Sequence, residues 1–164
     1  MPPSTPSNGF SRVHSVLLVA LFSLFFYRLG ASNLEGLLNY PFWLDMGPMM
    51  SNADFIQLRV DHLWKIYPLL VIPVVVVFLI TATLAVMAPP GLGRWPFVAL
   101  GVLQLVSLVS TVAIQIPLQN SLSLTGFDAA DLTRLIQTDL WLRKLPSVAE
   151  ALLVLGLLWR VVAR

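Results

Sequence analysis

The chain has 164 residues, 57% of them hydrophobic and only 11% charged, with a formal net charge of +2. A water-soluble domain carries about 25% charged residues, so too few charges are present to coat a soluble surface, and +2 supplies no basic patch for nucleic acid. Cysteine is absent, which excludes disulfides, thiolate metal sites and cysteine nucleophiles.

The apolar residues come in long runs. They predict an all-α polytopic membrane protein, a four-transmembrane-helix bundle with short amphipathic helices in the two longer connections. Residues 1–14 read as an N-terminal tail and 15–164 as a single four-helix transmembrane domain. The spans fall at about 15–39, 66–88, 95–116 and 145–162. The expected partners are the lipid bilayer and other membrane protein subunits, with no nucleic acid.

The tail is rich in Pro and Ser and carries Arg12 and His14. The apolar run after it has a signal-peptide flavour. Apolar character continues through Leu37 and Leu38 to Trp43, however, so an uncleaved first helix is expected. Pro41 is expected to end it. Residues 44–53 read as a loop, and a helix beginning near Asp54 feeds the second span, kinked by Pro68 and Pro73. The stretch Pro89-Pro90-Gly91-Leu92-Gly93-Arg94 is a short turn that makes the second and third helices an antiparallel hairpin. Pro117 is expected to end the third helix. Asp128 looks like an N-cap, with Asp131 in the first turn and Leu132, Leu135, Ile136 and Leu140 on one face. The fourth helix follows. Trp43, Trp64, Trp95, Trp141 and Trp159 all fall near span ends, where aromatic belts form.

The N-terminus, the 89–94 turn and the C-terminus share one side, with Arg12, Arg94, Arg160 and Arg164. The other side has Arg59, Lys65, Arg134, Arg143 and Lys144. This count is nearly even. The shortness of the 89–94 turn points to N-in and C-in.

The two long connections resemble each other. Pro41, Asp54, Leu58, Leu63 and Trp64 line up with Pro117, Asp131, Leu135, Leu140 and Trp141. Chance among common residue types is the competing explanation. A real repeat would have two spans per unit and relate the halves by an axis along the membrane normal. Anchored at the prolines, it matches Arg28, Glu35 and Asn39 with Gln104, Thr111 and Gln115.

Polar residues inside the spans fall into stripes. Arg28, Ser32, Glu35 and Asn39 share one helical face. So do Gln104, Ser107, Thr111 and Gln115, and so do Arg143, Ser147 and Glu150. A charge at the bilayer centre costs about 2.5–3.5 kcal/mol on insertion scales, so these faces should turn inward or toward a partner. Arg28 and Glu150 are candidates to pair across helices, with Glu35 as the competing partner. The functional reading is a polar intramembrane cluster of Arg28, Ser32, Glu35, Asn39, Gln104, Thr111, Gln115 and Glu150, with His62 at a cavity mouth. The plainer reading is interhelical hydrogen bonding.

The catalytic inventory is thin. His14 and His62 are the only histidines, no Glu-x-x-His pair supports a di-iron carboxylate site, and no phosphate loop or nucleophile elbow occurs. No catalytic residue, metal site or cofactor is assigned.

Tyr40-Pro41, His62, Pro117-Leu118, Gly126-Phe127-Asp128, and Trp141 with Arg143 together resemble the marks of an uncharacterised bacterial family of four-helix integral membrane proteins. That family is in turn loosely similar in size and layout to the anthrone-oxygenase-like membrane proteins. Gln119, Leu140 and Glu150 depart from the pattern, standing where His, Asn and Arg are usual. The resemblance implies a bacterial inner-membrane location. With the departures, it points first to a non-catalytic accessory or structural subunit of a larger membrane complex. The alternative is a membrane enzyme or binder of a small hydrophobic molecule that uses a polar intramembrane cavity.

Overall fold

The computed structural model describes residues 10–163. Most of the expected tail, residues 1–9, and Arg164 lie outside them. Among the described residues there is no strand, and four helices are long and apolar enough to cross a membrane: α1, Arg12–Met49; α2, Asn52–Met87; α3, Trp95–Thr125; and α4, Ala129–Val162. Sequence neighbours pack side by side, and α1 closes the bundle against α4.

Two sequence expectations about helix ends are corrected. Pro41 and Pro117 do not stop α1 and α3. Each helix instead opens into a π turn just ahead of its proline, at Glu35–Asn39 and Thr111–Gln115, and then continues. A third π turn, Leu140–Lys144, precedes Pro146 in α4. The backbone N–H before each proline bonds five residues back, Tyr40 to Glu35, Ile116 to Thr111 and Leu145 to Leu140. Proline cannot donate, and its ring crowds the carbonyl four residues earlier; a wider turn relieves that crowding. Helix therefore replaces the expected loop at 44–53, apart from a break at Met50–Ser51. The helix expected near Asp54 feeds the second span as one element, α2, and the amphipathic helix that starts after Asp128 runs on into α4 instead of standing apart.

The start signals act as read or close to it. The Asp128 carboxylate accepts from the N–H groups of Ala130 and Asp131 at 2.8 and 3.0 Å. Ser51 caps α2 by accepting from the Asp54 N–H at 3.2 Å, so that helix begins two residues ahead of Asp54. Gly126 joins α3 to α4 at φ +95°, where a Cβ would come within 2.7 Å of Asn52; only glycine fits both demands.

The extensions give the bundle two apolar cores. One, toward the 89–94 turn, holds Leu21, Phe25, Val77, Leu84, Phe97, Leu100 and Val154, all fully buried, with Leu92 of the turn folded back onto them. The other, between the extensions, holds Tyr40, Trp43, Phe55, Leu122, Leu132 and Leu135. Trp43 is therefore a core residue, not a belt residue. Trp64, Trp95, Trp141 and Trp159 are each at least 64% exposed.

Candidate functional site

Between the two cores lies a layer of buried polar side chains from all four helices. Its deepest element is an ion pair between Arg28 of α1 and Glu150 of α4. Glu150 is fully buried, and the Arg28 guanidinium also rests 5.2 Å from the Phe25 ring. Glu35 is not the partner of Arg28. It belongs to a second group, two helical turns toward the extensions: its Oε2 accepts from Asn39 Nδ2 at 2.7 Å and lies 2.9 Å from His62 Nε2. The Glu35 side chain is 3% exposed and that of His62 22%, so the imidazole stands between the carboxylate and the outside.

Asp139 anchors a third group. It is flanked by Arg143 Nη1 at 3.0 Å and Lys144 Nζ at 3.4 Å. Gly36 makes room for this group, since a Cβ there would run into the Asp139 carboxylate and the Lys144 ammonium. Arg143 also reaches toward Ser32 Oγ at 3.4 Å.

The fourth group is built around Arg59, which is fully buried and has no carboxylate in ion-pair range among the described residues. Its guanidinium stacks 3.9 Å from the Trp43 ring, a cation–π contact that stabilises a desolvated cation. Arg59 Nη2 donates to Gln119 Oε1 at 3.2 Å, and Gln119 Nε2 donates to the Tyr40 hydroxyl at 3.1 Å.

These groups surround a cavity of about 190 Å³. Its polar wall comes from Arg28, Ser32, Glu35 and Tyr40 of α1, Ser107, Thr111, Gln115 and Gln119 of α3, and Arg143 and Ser147 of α4; its apolar wall is Leu63, Ile66, Leu70, Val71 and Val74 of α2. For scale, an apolar cavity of about 150 Å³ holds benzene. Leu63 and Tyr67 also line an outer groove with Trp64, Pro68, Ser123 and Leu124, so two α2 side chains separate groove from cavity.

The predicted stripes thus converge, though not every member reaches the cavity. Arg28, Ser32, Glu35, Thr111 and Gln115 line it. Asn39 stands behind Glu35 and Glu150 behind Arg28. Gln104 lies toward the first core and donates to Thr81 Oγ1 at 3.3 Å. Gln115 Nε2 donates to Thr138 Oγ1 at 2.8 Å. His62 touches the cavity only through Glu35. Arg59, Asp139 and the Tyr40 hydroxyl were not singled out from the sequence as members of this cluster, and Gln119 was noted only as a departure from a family pattern. Among the described residues no three His, Asp or Glu side chains form a metal-ligating group.

No family model matches the chain, and neither a curated protein nor a solved structure is similar to it.

Proposed function

We propose that this is an integral membrane protein that binds a small, mainly apolar molecule in the cavity between its helices. One observation carries the reading: polar stripes on three helices, with Gln119 and Tyr40, face a single hollow whose fourth wall is aliphatic. Side chains that only tied helices together would close on one another. Here Ser32, Ser107, Thr111 and Ser147 stand around open space, and Ser107 Oγ and Gln115 Oε1 are buried with no partner. Ligand sites pair an apolar body with a few convergent polar groups in this way.

Membrane insertion is supported by the outer surface. Leu69, Ile72, Leu79, Val109 and Leu152 are among many exposed apolar side chains, a surface that lipid would cover. Exposed Trp141 and Trp159 stand eighteen residues apart on α4, about 27 Å of helix, close to the roughly 30 Å of a bilayer's hydrocarbon. Glu150 lies midway between them, which puts its pair with Arg28 near the bilayer centre. The Glu35 and Asp139 groups then lie at the level of one headgroup layer, and the second core projects beyond it.

Orientation also gains support. Arg59 is buried, and Arg143 and Lys144, 15% and 17% exposed at the side chain, both pair with Asp139. That leaves exposed Lys65 and Arg134 on the extension side, against exposed Arg12, Arg94 and Arg160 on the other. The positive-inside rule then favours N-in and C-in. The motif resemblance is what supports a bacterial inner membrane as its location.

Native mass spectrometry of protein released from nanodiscs tests the binding role. A small-molecule adduct on the wild type that is lost in Val74→Trp, which fills the hollow, is the expected result. Adduct-free wild type, prepared without delipidating detergent, would count against it.

A second reading, the accessory subunit of a larger complex, is favoured by the outer groove. Trp64 and Leu124 are each 79% exposed there, near or beyond the level where lipid ends. Mild-detergent purification yielding only a monomer would remove that reading.

A further inference from the structure

Resting on the cavity reading, we propose that the site selects molecules bearing an acceptor-only oxygen, a carbonyl, and that Tyr40 is the donor that reads it. Arg59 is a donor-only group, so whatever faces it must accept. Gln119 therefore turns its carbonyl oxygen to Arg59, at 3.2 Å, independently of how its amide is assigned. The Gln119 NH₂ is left pointing at the Tyr40 oxygen, 3.1 Å away. Tyr40 must accept this bond, and its own proton must go elsewhere.

No acceptor for that proton is found among the described residues. The Asp139 and Glu35 carboxylates act on the phenol through their charge but neither is hydrogen-bonded to it, and Arg143, which is, is again donor-only. Tyr40 is fully buried, so bulk water does not take the proton. It lines the cavity, which is the remaining direction. The buried Arg59, unused by any carboxylate, thus acts through Gln119 as a positioning residue. It sets the polarity of a two-bond relay that ends in a phenolic O–H aimed at a ligand. A carbonyl oxygen accepts that proton and asks nothing further, whereas a hydrocarbon of the same size leaves the donor unsatisfied.

The test uses the full chain in nanodiscs and two probes of matched size, acetophenone and ethylbenzene. Binding is followed by the shifts of labelled Leu70, Val71 and Val74 methyls. The ratio of the two affinities, compared between proteins, cancels each probe's partition into lipid. Wild type is expected to favour acetophenone by a ratio that falls roughly five- to tenfold in Tyr40→Phe, the factor one net hydrogen bond supplies. Gln119→Glu keeps the shape but replaces the NH₂ by an acceptor, so Tyr40 turns its proton to residue 119. The ratio should fall there too, while ethylbenzene binding stays within about twofold. Unchanged ratios in both variants would overturn the donor assignment and leave the cavity reading standing. If neither probe moves the wild-type methyls, the cavity reading itself fails and this inference with it.

Discussion

The groups that define this interior are charges held away from water, and their energetics are asymmetric. A buried ion pair adds little net stability, because desolvation offsets most of the attraction; removing one partner leaves an uncompensated charge. Arg28 and Glu150 are 7% and 0% exposed at the side chain. Glu150→Ala or Arg28→Ala should each therefore destabilise the bundle by about 3–5 kcal/mol. The double variant Arg28→Met, Glu150→Leu should regain most of that loss. Thermal unfolding in detergent across the four proteins checks it: a double variant as unstable as either single one would show that the pair is not the unit that matters. Which charges belonged to the site was only partly legible. Spacing exposed Arg28, Glu35 and Glu150, because polar residues stand out in apolar sequence. Arg59 was hidden, because its neighbours Asp61 and Lys65 made it look like part of a solvated interfacial stretch.

At the scale of the helix, prolines explain most of what the sequence concealed. Pro41 and Pro117 read as stops, since a regular α-helix cannot carry them without losing a bond. The π turns absorb both prolines and let helix continue. Once α3 runs past Pro117, its stripe of Gln104, Ser107, Thr111 and Gln115 extends by one more step of four to Gln119. That step was in the sequence, but a proline-terminated helix had no place for it. The π turns of α1 and α3 also stand at matching positions in the proline-anchored repeat, 35–39 against 111–115. That match follows from the prolines themselves, since the π turn before Pro146 has the same offset, so it leaves chance and a real repeat as the two explanations. The π turn of α1 also brings Gly36 against α4. Gly36→Ala should cost roughly 1–3 kcal/mol, the usual range for overpacking. Gly30→Ala, with nothing within 4 Å of its added Cβ, should be neutral or slightly stabilising. Equal unfolding temperatures for the two alanine variants would contradict the close approach of α1 to α4.

At the scale of the whole molecule, four helices of span length and their order along the chain were legible, because long apolar runs and strong breakers such as 89–94 need no tertiary information. The two-core arrangement was not. It depends on how far each helix extends past its apolar run, and only packing between the extensions reveals that. The arrangement has a consequence for access. The core of Leu21, Phe25, Leu84, Phe97 and Leu100 is fully buried and seals the polar layer from the side of the 89–94 turn. His62 at 22% exposure and the groove beside Tyr67 leave it approachable from the extension side and laterally. Because the chain has no cysteine, single-cysteine labelling can map its orientation cleanly. An impermeant maleimide applied to intact cells should modify Thr125→Cys and spare Arg94→Cys; the reverse pattern would invert the N-in, C-in orientation.

The same property gives the most direct test of the hollow interior. Ser107 and Ser110 lie three residues apart on α3 and are 8% and 6% exposed, but only Ser107 lines the cavity. Ser107→Cys and Ser110→Cys, each nearly isosteric, should be treated in nanodiscs with N-ethylmaleimide, a small neutral thiol reagent. The structure predicts that the cysteine at 107 reacts at least tenfold faster than the one at 110. Equal rates, or two inert thiols, would contradict an open cavity at the heart of this bundle.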